Sequence, residues 1–441
     1  MKTPPPTPRT EQTPCRITAR VKRPERHQIQ WREASLDQLV AKDHRVRVVW
    51  AYVEAIDTQP LYQRIQAVEG GVGRDAVDPR ILLALWMFAL IEGISSARQL
   101  ARLCERDVIY QWICGGVGVN YHLLADFRTQ QGEFLEQLLT DTIATLIHQN
   151  LITLETVAQD GMRVRAQAGS SSFRRRKTLE KCRDEAAAHL QQLREEDDAQ
   201  PDASQSRRRA AAERAATERS ERIAQALEEL QQLQAQREDR KKGTGDDARC
   251  STTDPEARRM KMADGGFRPA YNVQFATDGG ARMIVAVDVS NNSSDAGQMA
   301  PLHGAVSRRY GRVPKHQLVD GGFVTQGDIT QLERAGTQVF APMLHAERIL
   351  KEGQDPHARR PRDNDEMAKF RARMATDEAK QLYQRRPSIA EFPNAQCRNH
   401  NLVRLPVRGL SKVKTVSLWH AIVFNFERML TLGWLDRLRT A

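Results

Sequence analysis

Two aspartates in this chain stand where a carboxylate can do chemistry. The segment "LETVAQDGMRVRA" carries apolar residues at 154, 157, 162 and 164, which reads as a strand around Asp160. The segment "KHQLVDGGFVT", Lys315 to Thr325, runs a short apolar stretch into Asp320 and then into Gly321 and Gly322. Asp-Gly is a common turn dipeptide, so Asp320 alone is equally an ordinary strand exit. Taken with Asp160 it admits a second reading. If the two strands are neighbours in one sheet, their carboxylates sit side by side. Two unpaired carboxylates that close repel, and each is driven toward protonation unless a cation lies between them. A hard divalent ion meets that need, because Mg2+ takes oxygen ligands and is commonly held by one or two carboxylates plus phosphate oxygens. With 56 acidic residues in the chain, a salt-bridged structural role for the pair stays open at this point.

The elements that must position these acids fall into blocks. Residues 1–34 are Pro-rich and basic without an apolar core segment, which predicts a disordered arm and no signal peptide. Residues 35–150 read as helical. Asp78-Pro79 opens one helix, Ser95/Ser96 starts another that stops at Gly115-Gly116, and 120–149 supplies a long amphipathic stretch. Arg98, Arg102, Arg106 and Arg128 on these helices suit a helix-turn-helix-like DNA reader, and equally a plain bundle with solvated arginines. From Leu154 the order becomes strand, insertion, strand, strand, helix, strand, helix, strand, an α/β pattern with a mixed sheet. In it Thr277-Asp278-Gly279-Gly280 turns between the second and third strands. The insertion, 171–249, is rich in Arg, Glu, Gln and Ala. Leu179, Cys182, Ala186, Leu190 and Leu193 recur at steps of three and four, as do Ile223, Leu227, Leu230 and Leu233. That spacing predicts an antiparallel, coiled-coil-like helical hairpin, with a disordered charged loop as the alternative. The basic run Arg174, Arg175, Arg176 and Lys177 opens it and would suit phosphates, or a solvated face.

Charge points the same way. Lys and Arg outnumber Asp and Glu by 67 to 56, which favours a polyanionic partner, nucleic acid first. The six cysteines form no CxxC pair, so zinc-ribbon and disulfide-framework readings are weak and a reducing cytoplasm fits. The apolar run 81–91 is too short to span a bilayer, so no membrane partner is expected.

The segment "YQRRPSIAEFPNAQCRNH" sets Tyr383, Arg386, Glu391 and Arg398 in the pattern Y-x2-R-x4-E-x6-R. This resembles the DDE transposases of bacterial insertion sequences, in the branch with a Tyr-Arg-Glu-Lys signature around the third acid. "QDGMRVRA…SSFRRRK", "STTDPEARRMK…YNVQFATD", "LVDGGF" and "VRGLSKVKTVSLWHAIVFNFERML" are similar to further segments of that family, in the right order, over about 40–435. The resemblance implies an RNase H-like core built from 151–170 and 250–436, preceded by a DNA-binding domain over 35–150. It implies Asp160, Asp320 and Glu391 as catalytic and metal-binding residues holding two Mg2+ (or Mn2+) ions. Tyr383, Arg386 and Arg398 would contact the DNA backbone near the cut. The activity implied is metal-dependent cleavage at element ends and strand transfer, on double-stranded DNA, by a homodimer or larger assembly in the bacterial cytoplasm at the nucleoid. A non-catalytic DNA-binding relative acting as a repressor is the alternative reading, and a nuclease that does not join strands a weaker one.

Two positions depart from the family pattern. Arg398 replaces the usual Lys, and arginine is the better bidentate phosphate ligand. Pro393 matters more. A third acid on a helix facing the sheet would make Glu391 and Arg398 neighbours two turns apart. Proline at 393 removes the bond to Ile389 and costs about 3 kcal/mol inside a helix. Either Pro387 starts a helix that Pro393 kinks, or Glu391 occupies a short turn of its own, with Asp377 and Glu378 as substitutes. Asp254, before Pro255, reads as a structural cap. His316, His400 and His420 are isolated and have core or surface roles by default.

Overall fold

The structure is a computed structural model that describes residues 33–67, 75–195, 203–239 and 245–435. All but the last two residues of the expected basic arm lie outside them, as does most of the turn expected between the insertion helices. The chain opens with helices α1 (Leu36–Leu39), α2 (Arg45–Ala55), α3 (Gln59–Tyr62) and α4 (Pro79–Ile91). After them come α5 (Ala97–Arg106), α6 (Val108–Cys114), α7 (Tyr121–Gln130) and α8 (Gly132–His148). Helix α4 starts where Asp78-Pro79 places it, with the Asp78 carboxylate accepting from the Arg80 amide. Apart from Arg80 in its first turn, its residues are apolar all round and buried.

The single helix expected between Ser96 and Gly115 is two. Asp107 ends α5 and caps α6, its carboxylate accepting from the Ile109 amide at 2.8 Å. The long stretch after it is also broken, at Gln131–Gly132. A Cβ at Gly132 would lie 2.8 Å from Thr415 Oγ1, so the glycine lets this turn press against a later helix. Arg128 is not available to DNA. It is buried over the Trp86 ring and donates to the Ser95 carbonyl.

Strand β1 (Thr156–Arg165) is followed by the two-residue β2 (Phe173–Arg174) and the helices α9 (Arg176–Glu195) and α10 (Ala203–Asp239). Leu179, Ala226 and Leu230 pack together with Ala248 and Cys250, and Arg194 reaches Glu213 at 3.5 Å, joining the two helices. β3 (Cys250–Ser251) returns to pair with β2. β4 (Arg258–Lys261), β5 (Phe267–Asp278) and β6 (Ile284–Ser290) follow, then α11 (Met299–Tyr310), β7 (His316–Leu318), α12 (Gln326–Arg334) and β8 (Gln338–Phe340). β4 lies in a stretch that reads in sequence only as the block before the β5–β6 hairpin.

One mixed sheet results, with β5 antiparallel to β1 on one edge and to β4 and β6 on the other. β1, β7 and β8 run parallel. Beyond the sheet lie α13 (Ala346–Lys351), α14 (Asp365–Ala375), α15 (Asp377–Tyr383), a π-helical turn Pro387–Glu391, α16 (Phe392–Asn399) and α17 (Leu410–Leu432). Helix α17 sits between the N-terminal helices and the sheet. Trp419 Nε1 donates to the Arg128 carbonyl at 3.1 Å, and Asn425 bonds both the amide and the carbonyl of Ile284. One continuous apolar core therefore runs from α4 through α17 into β5 and β6. A second gathers Leu318, Phe323, Val339, Phe370 and Ile389.

Candidate active site

Asp160 lies in the middle of β1, opposite Phe275 of β5. On its other edge β1 pairs with β7 through Ala158 and Leu318. Asp160 and Asp320 each stand two residues beyond that pair, so parallel register brings their backbones out at one level. Asp320 then caps a short 3-10 turn, its carboxylate accepting from the Gly322 amide. A Cβ at Gly321 would lie 3.2 Å from the Pro342 carbonyl oxygen, so this glycine serves close backbone packing.

Glu391 ends the π-helical turn that begins at Pro387, and it is the residue before α16. The wider turn resolves the conflict raised by Pro393. Proline has no amide hydrogen, and its ring clashes with the carbonyl four residues back in a regular helix. Here Pro393 stands in the first turn of α16, where an amide hydrogen has no helical partner anyway, and the turn before it is wound i to i+5. The result points Arg386 and Asn394 at one carboxylate. Arg386 Nη2 donates to Asp160 Oδ1 at 2.9 Å, and Asn394 Nδ2 donates to Asp160 Oδ2 at 2.8 Å. The other end of the guanidinium, Nη1, lies 3.5 Å from Glu391 Oε1. One buried cation thus bridges Asp160 and Glu391. Arg386 is 9% exposed and Glu391 61%.

Burial pushes the Asp160 carboxyl up to about 6. The Arg386 guanidinium and the Gly161 amide act against that rise, while the charges of Asp295 and Asp320 add to it. Asp295 is a neighbour the sequence reading missed. Its carboxylate accepts from Asn272 at 2.7 Å, Gln274 at 2.8 Å and Arg163 at 3.3 Å. A Cβ at Gly161 would overlap Asp295 Oδ1 and Gln274 Nε2, so the glycine after Asp160 admits this cluster. Asn394 was missed too, although its place three residues after Glu391 is a usable signal. Asp295, in the run "NNSSDAG", carries none.

The remaining expected residues divide. Tyr383, at the end of α15, is half-buried, and its phenol is raised first by burial, with Asp320, Asp160 and Glu391 all acting on it and Arg386 opposing. Arg398 is exposed near the end of α16. Arg175 reaches Asp247 at 2.9 Å, and Arg176 donates to Gln234 at 3.1 Å, so both brace the foot of the insertion. Arg174 and Lys177 are exposed. Asp377 pairs with Lys380, and Glu378 is exposed. Asp254 is fully buried, accepting from the Tyr271 hydroxyl at 2.7 Å and the Gly409 amide at 3.2 Å. His316 meets Thr156, His400 meets Glu427, and His420 is buried and held far down, to about 3, by that burial.

Among the described residues no group of three His, Cys, Asp or Glu converges on a single point. The acids are instead arranged in pairs, Asp160 with Glu391 across a cation and Asp160 with Asp320 across neighbouring strands. Carboxylate pairs completed by water and phosphate oxygens are what a hard divalent ion takes. The place between Asp160 and Glu391 already accommodates positive charge, so these residues fit such an ion.

Among the described residues no helix is long and apolar enough to cross a membrane. Residues 34–130 match the family described as Transposase domain (DUF772), and residues 351–430 match the family described as Transposase DDE domain. No curated protein and no solved structure matches the chain. The second match contains Tyr383, Arg386, Glu391 and Arg398, and the first covers α1 through α7.

Proposed function

This chain is a DDE transposase of the insertion-sequence type, and on that premise we propose that Asp160, Asp320 and Glu391 are the carboxylates that cut and rejoin DNA. As a member of that class it is a polynucleotidyl transferase that binds DNA and depends on divalent metal. The finer assignments are our reading. The strand order β6–β5–β1–β7–β8, three antiparallel neighbours followed by two parallel ones, supports an RNase H-like core over 151–170 and 250–436. The packing of α9 on α10 supports a helical hairpin inserted over 171–249. The helices of 35–150 form the DNA-binding domain. The ions are two Mg2+ (or Mn2+), the signature branch is the Tyr-Arg-Glu-Lys one, and the working assembly is a homodimer or larger on end and target DNA, in the cytoplasm at the nucleoid.

The observation that carries the proposal is the Arg386 guanidinium shared by Asp160 and Glu391, 226 positions from Asp160 along the chain. Bound there, divalent ions would activate the attacking oxygen and stabilise the leaving 3′-oxygen. The protein's own part is placement. β1 and β7 fix two carboxylates on a rigid sheet, and Asn394 orients the Asp160 carboxylate. Arg386 neutralises the two acids until an ion or a phosphate takes over that task. Tyr383, Arg398, Arg174, Arg175, Arg176 and Lys177 are assigned to the DNA backbone, the last four at the foot of the insertion.

The test is cleavage, in Mg2+, of a duplex taken from the DNA at either end of the gene. Asp320→Asn and Glu391→Gln each abolish cutting and leave end-DNA affinity within about threefold. Normal cutting by either variant removes that residue from the site.

A further inference from the structure

We propose that a basic cleft beginning at Gly161 receives one unpaired DNA strand and stacks a base of it on Phe267; this rests on the reading of Asp160 as part of the cleavage site. The cleft encloses about 730 Å3, and it runs from Gly161, the residue after Asp160, to the turn joining β4 and β5. Arg165, Arg259, Lys261 and Arg398 line it and are all exposed. Two further cations there, Arg163 and Arg268, are neutralised by Asp295 and Asp264. The first four make no ion pair with a carboxylate among the described residues, so their charge is free for phosphate.

An exposed arginine is ordinarily a solvated one. Four around a single concavity beside a carboxylate pair are different, because each adds to the same local potential. Phe267 supplies the second, independent observation. It lines the same cleft, and it is 56% exposed at the start of β5. A cationic groove with an aromatic platform is the combination that holds single strands, with phosphates on the cations and a base on the ring. A duplex keeps its bases stacked on one another and offers Phe267 no face. The concavity is of the size that holds a few nucleotides of one strand. The strand would pass Gly161 over Asp295 and Gln274, which fill the space a side chain there would take.

The experiment is fluorescence anisotropy in EDTA, with a labelled 12-nucleotide single strand and a hairpin duplex of the same sequence as probes. Phe267→Ala weakens single-strand binding about tenfold, through the lost stacking, and leaves the duplex unchanged. Phe267→Trp keeps the affinity. The double variant Arg259→Gln/Lys261→Gln flattens the dependence of log affinity on log salt by about 1.4 for the single strand. Unchanged single-strand binding in Phe267→Ala overturns the proposal, as does an unchanged salt slope in the double variant. Equal weakening of strand and duplex also overturns it, because it would mark a general basic face. Binding without metal does not depend on cutting, so this cleft and the three carboxylates can fail separately.

Discussion

Asp160, half-buried on β1, and Asp254, buried against the neighbouring strand β5, keep very different company. Burial raises the carboxyl of both. Asp254 is sealed from solvent, and its Oδ1 accepts from two neutral donors that cannot leave, the Tyr271 hydroxyl of β5 and the Gly409 amide ahead of α17. Asp160 is 20% exposed, and one of its two side-chain donors is a guanidinium it shares with a second, exposed acid. Neutral donors on fixed backbone make a carboxylate an anchor. A shared cation at an open mouth makes it an exchangeable ligand, because another cation can take the same place. On the proposed reading of Asp160 as a cleavage residue, burial alone does not mark a working acid; the identity and mobility of its partners do.

The comparison can be broken most directly by chemistry. Asp160→Asn should lower single-turnover cleavage of end DNA by at least about 10³-fold, the scale on which removing one charge-stabilising group acts. Asp254→Asn should cut within about threefold of wild type below its melting temperature. Comparable loss in a folded Asp254→Asn protein would erase the distinction. Stability should reverse the ranking. Asp254→Ala strands the Tyr271 hydroxyl and the Gly409 amide, and denaturant titration should show a loss of about 3 kcal/mol. The pH dependence sharpens the contrast further. The folded protein holds a proton on Asp160 up to about 6, above the ordinary value of 3.8, so it binds more protons than the unfolded chain between those values. Stability from this group is then fully present below pH 4 and falls as pH rises to about 6, by on the order of 2 kcal/mol once partial exposure is allowed for. Asp160→Asn should remove that slope, and added Mg2+ should flatten it in the wild type. The smallest effect belongs to Gly161→Ala, which should cost about 1 kcal/mol by pushing Asp295 and Gln274 away. A thermal melt identical to wild type would show that the cluster yields freely.

Much of this site is legible from sequence because the relevant signals are local. A strand's alternation places Asp160, an apolar run places Asp320, and the resemblance to the family's Tyr-Arg-Glu-Lys signature singles out Arg386 and Glu391. What escapes is set by contacts across hundreds of residues. Asn394 meets Asp160 only because the fold brings the start of α16 to β1, and Asp295 reaches Gly161 from an irregular loop with no periodicity to betray it. The broken helices show the same limit on a smaller scale. Asp107 reads as one more polar residue of an amphipathic run, yet its carboxylate competes for backbone amides and ends one helix to begin the next. Pro393 reads as a fault in a helix, while the chain accommodates it with a single π turn. Arg128 looks like a surface cation because its spacing cannot reveal Trp86 beneath it.

Helix α17 has a mechanical consequence. It is bonded to Arg128 on one side and to Ile284 on the other, inside one unbroken apolar core. The N-terminal helices and the sheet thereby share one core through α17. On the proposed reading that those helices hold DNA and Asp160 cuts it, the double helix is expected to bend toward the site, and flexible pyrimidine–purine steps near the cut should speed synapsis. Small-angle scattering that shows the protein component changing shape on binding end DNA would contradict this.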